Sequence, residues 1–188
     1  MFKTVKDLAA KIVALLKDVS CAFFNFKEEE NAQEKSKKVA GTVARRIIYG
    51  FADYGIEVFI LAANVALKAL GIPLLYAFAV MWIINIAVAG IFMVIYFKTG
   101  HDVSLGEDLR RGVDAIYRKS FIAGRLSMLG IIIQATVWSG PEQIVIFFKK
   151  EIGNSFRMVM VMLFLTAIQT IVWMFIYRSG YDFVKWLA

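Results

Sequence analysis

The chain has 188 residues, 60% of them hydrophobic, and a mean hydropathy of +0.65. Soluble domains are about 45–50% apolar, so an ordinary soluble fold is excluded, and in so apolar a chain the net charge of +7 points to membrane topology rather than nucleic acid. One cysteine (Cys21) and one histidine (His101) leave no intrachain disulfide, thiolate cluster or multi-histidine metal centre, and no cofactor is expected.

The first 26 residues do not read as a signal peptide, because Lys11 and Lys17 interrupt any uncharged core. Instead Phe2, Val5, Leu8, Ile12, Leu15, Leu16, Val19 and Phe23 recur at helical spacing, with Lys3, Lys6, Lys11 and Lys17 on other faces. This pattern predicts an amphipathic helix over 1–26, lying on the cytoplasmic leaflet with its lysines on anionic head groups. Residues 27–46 form a mixed-charge linker or helix.

Residues 47–188 contain four apolar stretches of spanning length, about 47–70, 73–97, 120–139 and 156–177. The expected fold is an all-α integral membrane protein with four transmembrane helices in two hairpins. Gly71-Ile72-Pro73 makes the first turn, with Pro73 opening the second helix. Four basic residues, Lys68, Lys149, Lys150 and Arg157, fall on one side of this layout, and the other 18 of the 22 fall on the opposite side. The positive-inside rule then makes both termini cytoplasmic, in a plasma or inner membrane.

The first span raises the sharpest question. At 100° per residue, Arg46 and Asn64 lie within about 20° of Asp53, Glu57 within about 40° and Lys68 within about 60°. One face therefore carries two carboxylates, with Glu57 about 15 Å deep. An ionised carboxylate there costs at least about 2.5–3.5 kcal/mol, so it must be protonated, paired or facing water. Arg125, at matching depth on the third span, is the expected ion-pair partner. Asn85, Gln134, Thr166, Gln169 and Thr170 supply polar positions on the other spans.

In the middle loop, Ser104 and Glu107 suggest a capping box that starts a helix near Leu105. The spacing allows Glu107/Arg111, Arg110/Asp114 and Asp114/Arg118 pairs, and the helix is expected to run into the third span. In the loop after that span, Pro141 and Glu142 suit a first turn and Gly153 a stop, predicting a short interfacial helix. Residues 93–103 and 174–183 resemble each other weakly, which would make the hairpins repeats in one orientation.

No enzyme chemistry is legible. Thr99-Gly100-His101-Asp102 lacks the second histidine that a membrane phosphatase of that type needs, and there is no phosphate loop or nucleophile elbow. The first expectation is a non-enzymatic subunit that anchors or assembles a complex, through self-association or a partner docking on cytoplasmic helices that include Arg110, Arg111 and Arg118. The alternative is a small ion- or proton-conducting channel or transporter subunit using Asp53 and Glu57.

Overall fold

The computed structural model describes residues 2–137 and 139–187, and these contain eight helices and no strand. They are α1 (Phe2–Phe23), α2 (Ala32–Ala69), α3 (Leu74–Thr99), α4 (Gly106–Lys119), α5 (Phe121–Val137), α6 (Pro141–Phe147), α7 (Lys149–Ile152) and α8 (Ser155–Leu187).

Three helices, α2, α3 and α8, are long and apolar enough to cross a membrane. The fourth expected span is not among them. Helix α5 has 17 residues, about 26 Å at 1.5 Å per residue, short of a hydrocarbon core of about 30 Å. It also fails to continue α4, because Ser120 between them is extended (φ −151°, ψ 113°). The long continuous helix is α2. Its 38 residues start at a capping box in which Asn31 Oδ1 accepts from Glu34 N at 2.9 Å and Glu34 Oε2 accepts from Asn31 N at 3.3 Å.

The three long helices form the frame. Ala89, Met93 and Tyr96 of α3 pack with Met158 and Met162 of α8, while Ala77 and Met81 pack with Met174. These pairings make α3 and α8 antiparallel, so the segments 93–103 and 174–183 lie at opposite ends of the bundle. They are not repeats in one orientation. At the α8 terminus, Lys68 Nζ binds Asp182 at 2.5 Å and donates to the Arg178 carbonyl at 2.7 Å, fastening α8 beside the turn at 70–73.

Everything from α4 to α7 gathers at the other end. Gln143 Nε2 donates to the Ser104 carbonyl, Arg110 binds Glu151 at 2.5 Å and Lys149 binds Glu107 at 3.1 Å. Helix α5 packs back against α4, with Gly124 on Tyr117, and the chain rejoins this cluster at α6. The cap of α4 differs from the expected box. Leu105 occupies the cap with φ 65° and no side-chain bond. Asp102 does the capping, accepting from Glu107 N and from Ser104 Oγ, both at 2.7 Å. Arg45 of α2 holds this corner through the Asp102 carbonyl and Asp108, each at 3.0 Å.

Helix α6 is not interfacial, since all seven of its residues are buried. Helix α4 meets it at Gly106, where a Cβ would stand 2.6 Å from the Gln143 carbonyl and 3.0 Å from Phe147 N. Those obstacles are backbone and cannot swing aside. Gly106→Ala should therefore lower stability in detergent by about 1–3 kcal/mol, the usual cost of overpacking. A thermal melt of the solubilised protein reads this out, and an unshifted melting temperature would contradict the packing.

Candidate functional site

The polar face of α2 survives in the structure, but its partners are not the expected ones. Arg125 is exposed on α5, with its guanidinium 4.0 Å from the Phe121 ring centroid. Helix α5 does not pack on α2, and no ion pair reaches Asp53 or Glu57 among the described residues. The pairing expectation requires α5 to run beside α2, whereas α5 packs on α4, α6 and α8.

What meets the stripe is a third carboxylate. Asp53, Glu57, Asn85, Gly140, Glu142 and Gln169 are among the residues around a cavity of about 20 Å³. That is room for about one water molecule. Helix α2 supplies two acids, α3 and α8 supply amides, and α6 delivers Glu142 from its first turn. Glu142 gets there because of Gly140, whose φ of 102° favours glycine. A Cβ at Gly140 would also collide with the Glu142 carboxyl group itself.

Hydroxyl groups take the place of cations. Tyr177 donates to Glu57 Oε2 at 2.8 Å. Tyr49, fully buried, lies 2.6 Å from Glu142 Oε1 and 3.0 Å from the Ser139 carbonyl. A phenol has one proton, so it cannot donate fully to both acceptors. If Glu142 is protonated, it donates to Tyr49 and Tyr49 donates to Ser139, and both bonds are made. Around them, Asn85 Nδ2 donates to Thr170 Oγ1 at 2.7 Å, and Trp82 Nε1 to Thr166 Oγ1 at 3.1 Å. Further along α2, Asn64 is buried with neither amide atom partnered.

Burial pushes the Glu142 carboxyl up to about 7 from an ordinary 4.5. The Tyr49 hydrogen bond opposes this, and the nearby Asp53 and Asp102 carboxylates add to it. Asp102, outside the cavity, is also raised, chiefly by burial.

The other sequence candidates are structural or peripheral. Arg110 is taken by Asp114 at 2.9 Å and by Glu151, with its guanidinium 5.3 Å from the Phe147 ring centroid. Arg111 pairs with Asp108 and donates to the carbonyls of Ala22 and Phe23 at 3.2 and 3.4 Å, tying α1 to α4. Arg118, Lys11 and Lys17 are exposed, whereas the side chains of Lys3 and Lys6 lie outside the described residues. His101 is exposed in its loop. Sequence reasoning missed Glu142 and Tyr49. The available signal was an acid two residues after Gly140 in an otherwise apolar segment. No family model, curated protein or solved structure matches the chain.

A Glu142 carboxyl raised in the fold favours the folded state while both states are protonated, below about 4.5, and loses that contribution as pH rises through about 7. A shift of that size corresponds to roughly 3 kcal/mol. The solubilised protein should melt at lower temperature at pH 8 than at pH 5. Glu142→Gln should flatten that dependence, leaving the part due to Asp102. Identical slopes in parent and variant would show that Glu142 titrates normally.

Proposed function

We propose that the protein conducts protons across a membrane, alone or as a subunit of a larger assembly, through Asp53, Glu57 and Glu142. The observation that carries this is the convergence of three carboxylates on one water-sized cavity, without an ion pair among the described residues. A cavity of about 20 Å³ is too small for a hydrated cation. Carboxyl, phenol and a single water suffice to hand a proton along. Asn64, buried and unpartnered on the same helix face, is the next polar station toward the far end. A structural polar seam would leave fewer groups unsatisfied.

The topology we infer has three crossings, α2, α3 and α8, with α5 and α6 entering from one end and returning to it. Of the 22 basic residues, Lys68, Arg178 and Lys185 lie toward the end marked by the turn at 70–73, leaving 19 for the other. The positive-inside rule makes the N-terminal end cytoplasmic. Three crossings then put the C-terminus across the membrane, in place of the arrangement with both termini cytoplasmic. A reporter fused at Ala188 should lie outside the cytoplasm, and a cysteine at Lys149 should be labelled only from the cytoplasmic side. The reverse pattern would restore four crossings.

Liposomes containing the purified protein should dissipate an imposed pH gradient faster than empty ones. Asp53→Asn, Glu57→Gln and Glu142→Gln should each slow this at least tenfold, which is about 1.4 kcal/mol on the barrier. Asn64→Leu should slow it as well. If the parent protein leaks no faster than lipid alone, conduction is wrong.

In that event the second reading is a non-enzymatic anchoring subunit. It is favoured by α1, which packs on α4 through Val19 and Phe23 near Gly112 yet leaves Ile12, Val13 and Leu16 exposed beside Lys11 and Lys17. That apolar and basic face suits the cytoplasmic leaflet or a protein partner.

A further inference from the structure

A cleft of about 510 Å³ lies between the C-terminal part of α1, helix α4 and Lys150 of α7. Its charged lining residues are Asp18, Arg111, Asp114, Arg118, Lys119 and Lys150. Both acids are taken. Lys119 binds Asp18, and Arg110, from outside the cleft, binds Asp114 at 2.9 Å. Arg118 and Lys150 are exposed and form no ion pair among the described residues. Arg111 shares the Asp108 carboxylate with Arg45. Its bonds run through Nε and Nη2, so Nη1 is left over. The cleft therefore keeps an excess of positive charge, and its unengaged charged groups are all donors.

Donors that converge without a free carboxylate call for an anion. A phosphate suits them, since its oxygens take an arginine fork and a lysine point charge together. The volume lies in the range of small-ligand pockets, about 300–1,000 Å³. The place of the cleft in the fold says which phosphate. Lys119 ends α4, and Phe121 and Ile122, both exposed, open the apolar α5 just after it. The cleft thus stands at the step from a charged helix to an apolar one. In a membrane-spanning chain that step is the level of the head groups, where basic residues meet anionic lipid.

We propose that this cleft binds the head group of an anionic phospholipid, its phosphate held by Arg118, Lys150 and Nη1 of Arg111 and its acyl chains on the side of Phe121 and Ile122. This is a defined site, unlike the diffuse attraction of Lys11 and Lys17 on α1, which do not line the cleft. A head group bearing its own ammonium would meet like charge there. The cleft shares no lining residue with the carboxylate cavity, and the proposal stands whether or not the protein conducts protons.

Cys21 lines the cleft and is the one cysteine of the chain, so its alkylation reports occupancy. The full chain in neutral detergent is treated with uncharged N-ethylmaleimide beside phosphatidylglycerol, phosphatidylcholine of identical acyl chains, or soluble glycerol phosphate. Saturating phosphatidylglycerol should slow the alkylation at least about fivefold, because an occupied cleft excludes the reagent. Phosphatidylcholine should not. Arg118→Gln combined with Lys150→Gln, at exposed positions outside every ion pair among the described residues, should remove most of the protection. Lys11→Gln combined with Lys17→Gln should leave it in place. If the thiol is unreactive in detergent alone, native mass spectrometry reads the same comparison, with phosphatidylglycerol retained by the parent and lost from the Arg118 and Lys150 variant. Four outcomes would overturn the proposal. Phosphatidylglycerol acts no differently from phosphatidylcholine, or it acts on the Arg118 and Lys150 variant as on the parent. The Lys11 and Lys17 variant loses the effect equally, which would make the attraction diffuse. Glycerol phosphate acts as strongly as the lipid, which would make the cleft a site for a soluble phosphate.

Discussion

Asp53 and Glu57, half-buried, and Glu142, fully buried, meet at one cavity of an apolar helix bundle, and no basic side chain forms an ion pair with any of them among the described residues. Burying a charge without a partner is among the largest penalties a fold can carry. The arrangement around the cavity follows from that constraint. Tyr49 and Tyr177 bring hydroxyls from two different helices, and Asn85 and Gln169 bring amides. The buried polar residues of α8, Thr166, Gln169 and Thr170, fall at or next to the level where the acids stand. A carboxylic acid can be neutralised where a lysine partner is missing, and the pairing of Glu142, Tyr49 and the Ser139 carbonyl is complete only in that form.

Helix α6 is where this constraint meets the architecture. Its C-terminal half, Val145, Ile146 and Phe147, is buried against apolar side chains, with Val145 and Ile146 in the core shared with α3 and α8. The ion pairs above it, Arg110 with Glu151 and Lys149 with Glu107, have one exposed partner each and contribute about 0–1 kcal/mol apiece. Hydrophobic burial therefore fixes that end. The N-terminal half is different in kind. It holds the turn at Gly140, the Glu142 bond to Tyr49 and the Gln143 bond to the Ser104 carbonyl.

The helices were largely legible in the sequence because hydrophobic runs and end signals act locally. The turn at Gly71-Ile72-Pro73, the helix opening at Pro141 and the stop at Gly153 all follow from backbone preferences of single residues. The polar face of α2 was legible for the same reason, as helical periodicity alone aligns Asp53 with Glu57. What could not be read was which neighbour faces it. Arg125 and Glu142 lie 17 residues apart in sequence, one on α5 and one on α6, and the choice between them depends on whether α5 crosses or turns back. Composition says only that α5 is apolar, a property shared by a spanning helix and by a shorter one packed at a bundle end. The cap of α4 was misread for a smaller reason. Asp102 and Ser104 are both plausible caps, and the left-handed Leu105 shifts the chain so that Asp102 reaches Glu107 N.

Charge could not decide the topology either. A four-crossing layout places Lys149, Lys150 and Arg157 opposite the main basic group, whereas the three-crossing layout returns them and moves Arg178 and Lys185 instead. The split changes only from 18 against 4 to 19 against 3, and both satisfy the positive-inside rule. The difference lies in the interior. Four crossings would separate Gln143 from Ser104 and Glu151 from Arg110 by the thickness of the membrane, whereas the structure joins both pairs. They would also withdraw Glu142 from Tyr49, leaving the acids of α2 with one fewer hydrogen-bonding neighbour at their cavity. The packing that satisfies the buried polar groups is thus the same packing that supports the proposed three-crossing topology.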